Sequence, residues 1–189
     1  MDLVVSALAF AAEAHKHQRR KDKEATPYIN HPISLLHILA VEAGVEDEEV
    51  LAAALLHDYL EDCCGEAQTG LAEGRQQIRS RFGAVVLAYV EQVTDDKSLP
   101  KEERKTLQIS KAAGASHGAK LVKLADKVAN LRDLAAAPPY GWSESRIAEY
   151  YDWAGKVVAE LRGTHTRLEE LFDEAYIKRP LPLGGRQGG

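Results

Sequence analysis

Apolar residues recur every three or four positions along almost the whole of this 189-residue chain. That spacing puts them on one face of an α-helix, whereas a half-buried strand needs strict alternation of apolar and polar residues. The sequence has no sustained alternation and none of the Asn-Gly or Asp-Gly turns that favour hairpins. We therefore predict an all-α fold, and the length suits a single-domain helical bundle with one core.

Local signals predict where the helices begin and end. A first helix starts near Leu3 and ends near residues 16–20. A second begins at Pro32, whose missing N–H costs nothing in a first turn, and closes at Gly44. Asp47 caps a third helix that continues to about Asp62. Further helices are predicted near residues 71–82, 84–93, 100–113, 119–136, 143–161 and 164–177, with loops at 21–30, 63–70 and 138–142.

The domain limits and the composition narrow the function classes. The helical domain should span residues 1–178, and a flexible tail rich in Gly and Pro should follow at 179–189. No apolar run approaches the roughly 20 residues that cross a bilayer. The net charge of −5 argues against broad nucleic-acid binding, although a local basic pocket for a small anion is compatible with it.

The expected location and partners follow from these limits. The start, Met1-Asp2-Leu3, lacks the basic stretch and cleavage site of a secretory signal. We expect a cytoplasmic protein that binds neither membrane nor nucleic acid, and the sequence leaves its oligomeric state open.

The segment Leu55–Asp62, which reads LLHDYLED, carries the most informative chemistry. On a helix it puts Glu61 on the same side as His57 and Asp58, with Asp62 next to Asp58. Carboxylates so close together repel one another and are costly to bury unpaired. A divalent cation removes both problems, because imidazole and carboxylate are ligands of manganese, iron and zinc. The alternative is an exposed acidic helix end with an unrelated histidine, although acids at a helix C-terminus oppose the macrodipole.

Two distant segments add candidate ligands. His31 follows Pro27-Tyr28-Ile29-Asn30 at the start of a predicted helix. Asp126 lies on an apolar helix, where a buried acid needs a partner, and Lys123 or Lys127 would also serve as an ordinary ion-pair partner. Taken singly, each residue is more often structural than catalytic, and it is their order along the chain that indicates a site.

That order, a His, then His-Asp, then a distant Asp, resembles the HD-domain phosphohydrolases. Within that family the chain resembles the hydrolase half of the RelA/SpoT enzymes, most of all the stand-alone small alarmone hydrolases such as the metazoan SpoT homologue. The resemblance runs from about Ala9 to about Ala175. The motifs that carry it are Ala14-His15 with Gln18, Arg19–Asp22, Thr26–Pro32, His57–Asp62, Val93–Lys97, Lys120–Lys127, Asn130–Leu134 and Gly141–Ser143.

The resemblance implies roles for individual residues. The family pattern would hold one metal ion, usually Mn²⁺, with His31, His57, Asp58 and Asp126. Glu61 would orient or deprotonate the attacking water, and Asp62 would support it. The substrate's phosphates, ribose or base would be contacted by Arg20, Lys21, Lys97, Asn130, Arg146 and Tyr150, although solvated Arg and Lys side chains are commonplace.

The implied reaction is hydrolysis of the 3′-diphosphate of guanosine alarmones, which converts (p)ppGpp to GDP or GTP plus pyrophosphate. Adenosine alarmones and the 2′-phosphate of NADPH stay open as substrates, and a non-catalytic nucleotide sensor or a purely structural helical protein are alternatives from other classes. The presence of Glu61 and Asp62 argues against the sensor. Two departures from the family concern substrate preference: Tyr59-Leu60 stands where many relatives carry Thr-Val, and 63–77 is longer and predicted to be a mobile loop.

Overall fold

The computed structural model describes residues 1–64 and 68–180, and the regular structure of these residues is helical apart from one antiparallel bridge between Arg19 and Pro27. This confirms the predicted all-α fold. The helices are α1 (Asp2–Ala14), α2 (Asn30–His37), α3 (Glu48–Leu56), α4 (Tyr59–Asp62), α5 (Gln68–Phe82), α6 (Ala84–Val93), α7 (Lys101–Ala112), α8 (His117–Ala136), α9 (Glu144–Ala159) and α10 (Thr166–Tyr176).

Two segments were predicted to be flexible, and parts of both lie outside the described residues. Residues 181–189, which make up most of the predicted tail, lie outside the described residues. Of the predicted mobile loop at 63–77, residues 65–67 also lie outside them. For residues 68–77 the prediction was wrong, because from Gln68 onward the chain is the helix α5. None of the helices that are described is long and apolar enough to cross a membrane.

The first helix is shorter than predicted, because α1 ends at Ala14. The next residue, His15, is only 1% exposed, and its ring stacks on that of Tyr28 with the centroids 5.0 Å apart. Burying this ring draws the chain out of the helix and into the loop of residues 15–29. The loop therefore starts earlier than predicted, at a residue that contacts the loop's far end.

The predicted third helix is divided into α3 and α4 by His57 and Asp58. Asp47 caps α3 as predicted, and its carboxylate accepts from the amide of Glu49 at 2.9 Å. The Nδ1 atom of His57 lies 2.8 Å from the carbonyl oxygen of Ala54, which is the acceptor that the Asp58 amide would use in a continuous helix. The prediction of one continuous helix was wrong because a side chain takes this backbone acceptor.

The second helix passes into a π-helical turn before it ends. Pro32 lies in the first turn of α2 as predicted, and the π-helical turn spans Ile38–Glu42. Gly44 then adopts a φ of +70°, the left-handed conformation that commonly follows a helix end. Glu42 accepts two hydrogen bonds from Arg132, at 2.6 and 2.9 Å, so the turn is fastened to α8.

Helix α8 forms the centre of the molecule and packs against α2, α3, α6, α9 and α10. It buries two lysines, Lys123 and Lys127, in addition to its apolar residues. Because α2 and α3 pack directly against it, the residues at the start of α2 and at the end of α3 face polar residues from the middle of α8. This arrangement positions the candidate site.

Candidate metal centre and active site

Three parts of the fold bring imidazole and carboxylate groups to one point. His31 lies in the first turn of α2, His57 and Asp58 lie between α3 and α4, and Asp126 lies in α8. The ligand atoms of His31, His57 and Asp126 are all within 4.8 Å of one another. Oδ2 of Asp58 lies 2.8 Å from Nε2 of His57 and 4.0 Å from Nε2 of His31. All four residues that the sequence suggested as ligands therefore converge.

The spacing of these atoms fits a divalent cation. Metal–ligand bonds of about 2.0–2.2 Å put adjacent ligand atoms about 3 Å apart and opposite ones about 4 Å apart. Nε2 of His31 is 3.4 Å from Oδ1 of Asp126, and Nε2 of His57 is 3.9 Å from the same oxygen. These separations match what two imidazoles and one carboxylate would show around one ion, and the Asp58 carboxylate lies beside them in contact with the ring of His57.

A buried nitrogen without a hydrogen-bond partner supports this assignment. Nε2 of His57 is fully buried and makes no hydrogen bond within the described chain. Since Nδ1 faces the Ala54 carbonyl, Nδ1 carries the proton of the neutral ring and Nε2 presents a lone pair to the Asp58 carboxylate. Two lone-pair atoms 2.8 Å apart require a positive charge between them.

The pKa values of the cluster are shifted in the directions that favour positive charge beside its carboxylates. Burial lowers the pKa of His57, but the Asp58 carboxylate and contact with it outweigh burial and raise that pKa to about 9. Burial raises the pKa of Asp126, but the Lys127 ammonium and the imidazoles lower it well below its usual value. Nζ of Lys127 is 3.0 Å from Oδ2 of Asp126, and Nδ2 of Asn130 donates to Oδ1 at 2.5 Å. Asp126 is therefore held ionised, as a metal ligand must be.

Glu61 lies beside this cluster and has its own set of partners. Its Oε2 accepts from the amide of Asp95 at 3.2 Å, and its Oε1 lies 3.8 Å from Nζ of Lys97 and 4.0 Å from Nη1 of Arg104. Burial, followed by the negative charges of Asp58 and Asp95, raises the pKa of Glu61 to about 7. A carboxyl group with such a pKa is suited to exchanging protons near neutral pH.

Asp62 points to a different space from Glu61. Its Oδ1 lies 2.5 Å from Nζ of Lys97, and its backbone carbonyl accepts from Nε2 of Gln18 at 3.1 Å. Gln18 in turn bonds to the ring of His15, so the buried histidine at the end of α1 holds the Asp62 peptide indirectly. The acidic pair that the sequence suggested is thus brought to the site but split between two cavities.

The inner cavity, about 200 Å³, contains the cluster itself. Glu61, Lys123 and Lys127 line it together with the four candidate ligands. Burial and the neighbouring Lys127 lower the pKa of Lys123 to about 8, whereas Lys127 is paired with Asp126 and lies 4.3 Å from the centre of the Trp153 ring. Of the two lysines, Lys127 forms the ion pair with Asp126 and Lys123 brings its charge to the cavity wall.

The outer cavity, about 630 Å³, adjoins the inner one, because both are lined by Arg20, Tyr28, His31, Asn130 and Tyr150. Its volume is that of an ordinary small-molecule pocket. The predicted substrate-binding residues that line it are Arg20, Lys21, Lys97, Asn130 and Tyr150.

Arg146 and Tyr59 stand apart from both cavities. Arg146 is exposed, and its guanidinium lies 4.2 Å from the ring of Trp142, which itself lines the outer cavity. Its predicted contact with substrate stays a prediction. Tyr59 is buried against Phe10, with the ring centroids 4.8 Å apart, and it lines neither cavity. Its large side chain therefore packs in the core and does not face the site.

Tyr28 belongs to the site although the sequence reasoning missed it. Its hydroxyl donates to Oδ2 of Asp58, and its ring edge lies against His31 with the centroids 6.0 Å apart. Burial and the Asp58 charge raise the pKa of Tyr28 far above its usual value, so the hydroxyl stays protonated and keeps donating. Its position three residues before His31 was the available signal.

Asp133 was missed as well. Its Oδ2 accepts from Nη2 of Arg20 at 2.5 Å and lies 3.8 Å from Nδ1 of His31. Asp126, Asn130 and Asp133 follow one another at intervals of four and three residues, which puts all three on one face of α8. That spacing was a sufficient signal for an extended polar face reaching from the cluster into the outer cavity.

Comparisons with known proteins agree with this geometry. A family profile described as HD domain matches residues 7–151. The human guanosine-3′,5′-bis(diphosphate) 3′-pyrophosphohydrolase MESH1 is 52% identical over 180 residues, 95% of this chain and 96% of that protein. The Drosophila melanogaster protein of the same name is 49% identical over 177 residues, 94% of each chain.

Solved structures show the same fold. One described as "A metazoan ortholog of SpoT hydrolyzes ppGpp and plays a role in starvation responses" superposes with a TM-score of 0.86 at 48% identity, over 95% of this chain and 96% of that one. A Listeria monocytogenes protein matches with a TM-score of 0.56 at 26% identity, over 78% of this chain and 99% of its own. The chain therefore belongs to the HD-domain family and, within it, to the hydrolases of the RelA/SpoT type.

Proposed function

We propose that this protein is a metal-dependent (p)ppGpp 3′-pyrophosphohydrolase, which releases pyrophosphate and leaves GDP or GTP. The observation that carries the proposal is the convergence of two imidazoles and two carboxylates at the junction of a small inner cavity and a pocket of about 630 Å³. The similarity to MESH1 proteins over nearly the whole chain supports guanosine alarmones as the substrate class.

The resident metal in this proposal is one Mn²⁺ held by His31, His57, Asp58 and Asp126. The unpartnered Nε2 of His57 and the ionised state of Asp126 support this ligand set. When bound, the ion would lower the pKa of a coordinated water and offset charge on the attacked phosphoryl group. Held by four protein ligands, the ion would keep coordination positions open for water and substrate, as a catalytic site requires.

The chain's own residues divide the remaining work. Glu61 accepts the proton of the attacking water, and its pKa of about 7 suits that exchange. Asp62 holds Lys97 at the mouth of the outer cavity, where the ammonium is available to a phosphate. Lys123 faces the inner cavity, where it offsets negative charge on the group being released.

Nucleotide binding falls to the outer cavity. Arg20 and Lys21 supply positive charge for phosphates, and Asn130 and Tyr150 supply hydrogen-bonding groups for phosphate, ribose or base. Arg146, whose guanidinium lies over the ring of Trp142, is proposed to contact the bound nucleotide beside that ring. Location in the cytoplasm stays a prediction, which cell fractionation would check, and the absence of a nucleic-acid partner also stays a prediction.

The decisive experiment is incubation of the purified protein with ppGpp and Mn²⁺ while pyrophosphate release is followed. Wild-type protein should yield pyrophosphate and GDP, whereas a chelator-treated sample and Asp58→Ala should yield neither. Release from ppApp, or of phosphate from NADPH, without release from ppGpp would move the substrate assignment while keeping the metal site.

A variant of the proposed base separates an enzyme from a nucleotide sensor. Glu61→Gln should lower kcat by about 10²–10⁴-fold, with Mn²⁺ affinity unchanged because Glu61 is not one of the ligands. The exposed Glu49 at the start of α3 offers a matched control, and Glu49→Gln should leave kcat unchanged. Nucleotide binding without turnover in the wild type would support the sensor instead.

A further inference from the structure

The second ring nitrogen of His31 has no hydrogen-bond partner. The ring is buried, with 4% of the residue exposed, and Nδ1 makes no hydrogen bond to any residue that the structure describes. Its Nε2 faces Asp126 and Asp58 in the cluster. If Nε2 binds a metal, Nδ1 must carry the proton, and a buried N–H without an acceptor is destabilising.

The nearest carboxylate to this nitrogen belongs to Asp133. Oδ2 of Asp133 lies 3.8 Å from Nδ1 of His31, which is about 0.6 Å beyond the usual range of an N–H···O hydrogen bond. The Asp133 side chain is 41% exposed and borders the outer cavity, so it has space to move. It lies two helical turns after Asp126, so α8 presents one carboxylate to each nitrogen of the same ring.

Arg20 engages the same oxygen that His31 needs. Nη2 of Arg20 donates to Oδ2 of Asp133 at 2.5 Å, and this strong ion pair holds the carboxylate toward the outer cavity. Arg20 is also the residue of this pair with the charge to bind a nucleotide phosphate. A phosphate that draws Arg20 away would release Asp133 to His31.

We infer that Asp133 is the positioning residue that orients His31 for metal binding, and that its ion pair with Arg20 opposes this until an anionic nucleotide engages Arg20. The inference rests on the proposed metal site, and it adds a coupling between nucleotide binding and metal binding. Carboxylates that accept the second N–H of a metal-bound histidine commonly change metal affinity by 10–100-fold when removed.

Two substitutions with opposite expected signs test the inference in metal-free protein titrated with Mn²⁺ by calorimetry. Asp133→Asn should weaken Mn²⁺ binding by about tenfold. Arg20→Met should strengthen it by about fivefold, because the carboxylate becomes free to approach His31. The double variant should bind as weakly as Asp133→Asn alone, since Arg20 acts only through Asp133. If Asp133 and Arg20 only maintained the local structure, both single variants would bind Mn²⁺ more weakly than the wild type.

A second Asp–Arg pair serves as the matched control. Asp173 and Arg162 form a comparable ion pair near α10 that borders neither site cavity, so Asp173→Asn and Arg162→Met should leave Mn²⁺ affinity unchanged. Weaker binding in Arg20→Met, or unchanged binding in Asp133→Asn, would overturn the inference, and a wild type that binds no Mn²⁺ would overturn it together with the metal site. Because the experiment measures Mn²⁺ binding alone, its outcome does not depend on whether ppGpp is the substrate.

Discussion

Replacing Lys127 with methionine should destabilise the metal-free protein far more than the metal-bound one. Lys127 is only 3% exposed, its Nζ is 3.0 Å from Oδ2 of Asp126, and it lies 4.3 Å from the centre of the Trp153 ring. Methionine keeps much of the length and apolar volume of the side chain. Lys127→Met therefore removes the charge that compensates Asp126 and leaves most of the packing in place.

The magnitude follows from these contacts. Removing one partner of a buried ion pair costs about 3–5 kcal/mol in the free energy of unfolding, and we take about 3 kcal/mol because the Asp126 side chain is 18% exposed. Each kcal/mol shifts Tm by about 2–4 °C in a protein of this size, so the metal-free variant should melt about 6–12 °C below the wild type. Bound Mn²⁺ neutralises Asp126, so only the contact with Trp153 is lost, about 1 kcal/mol, and the deficit should shrink to about 2–4 °C.

The assay is thermal unfolding with chelator and again with saturating Mn²⁺. Lys156, which is exposed on α9, gives the control, because Lys156→Met removes a charge with no buried partner and should change Tm little under either condition. Equal Tm deficits of Lys127→Met with and without Mn²⁺ would refute the reasoning, since they would mean that the ammonium contributes through packing and not by compensating Asp126.

Two further substitutions separate the site from the core. Tyr28→Phe removes the donor to Oδ2 of Asp58 and should weaken Mn²⁺ binding by about tenfold. Tyr140→Phe, at a highly exposed position, is the control in the same titration. Unchanged Mn²⁺ affinity in Tyr28→Phe would contradict the role given to the hydroxyl. Tyr151→Phe removes a buried hydrogen bond of 2.9 Å to the Leu131 carbonyl and should lower stability by about 1 kcal/mol in a denaturant titration, while pyrophosphate release stays unchanged. A loss of activity in Tyr151→Phe would show that α8 transmits core packing to the site.

Local patterns in the sequence were sufficient to predict the fold class, whereas the set of four candidate ligands followed from the resemblance of the chain to the HD-domain phosphohydrolases. The helical spacing of apolar residues predicts the secondary structure. His57-Asp58 and the acids after it indicate a metal site, because such groups are costly to bury without a cation. Asp133 and Tyr28 escaped notice because they act on other side chains, and nothing in the sequence shows that a carboxylate will lie 3.8 Å from one nitrogen of His31. For Arg146, the resemblance implied a contact with the substrate, but a position in a motif does not reveal that the guanidinium lies over the ring of Trp142.

The break between α3 and α4 was unpredictable for a similar reason, and it is what makes the adjacent pair His57-Asp58 usable. In a regular helix with 3.6 residues per turn, consecutive side chains point about 100° apart and cannot meet at one ion. Here Asp58 adopts φ −96° and ψ −1°, a sparsely populated conformation common in active sites, and its Oδ2 comes within 2.8 Å of Nε2 of His57. The hydrogen bond from His57 Nδ1 to the Ala54 carbonyl has two effects: it takes the acceptor that would continue the helix, and it selects the tautomer that leaves Nε2 free for a metal. One contact thus ends the helix and prepares the ligand, so the position of the metal site and the position of the helix end are determined together.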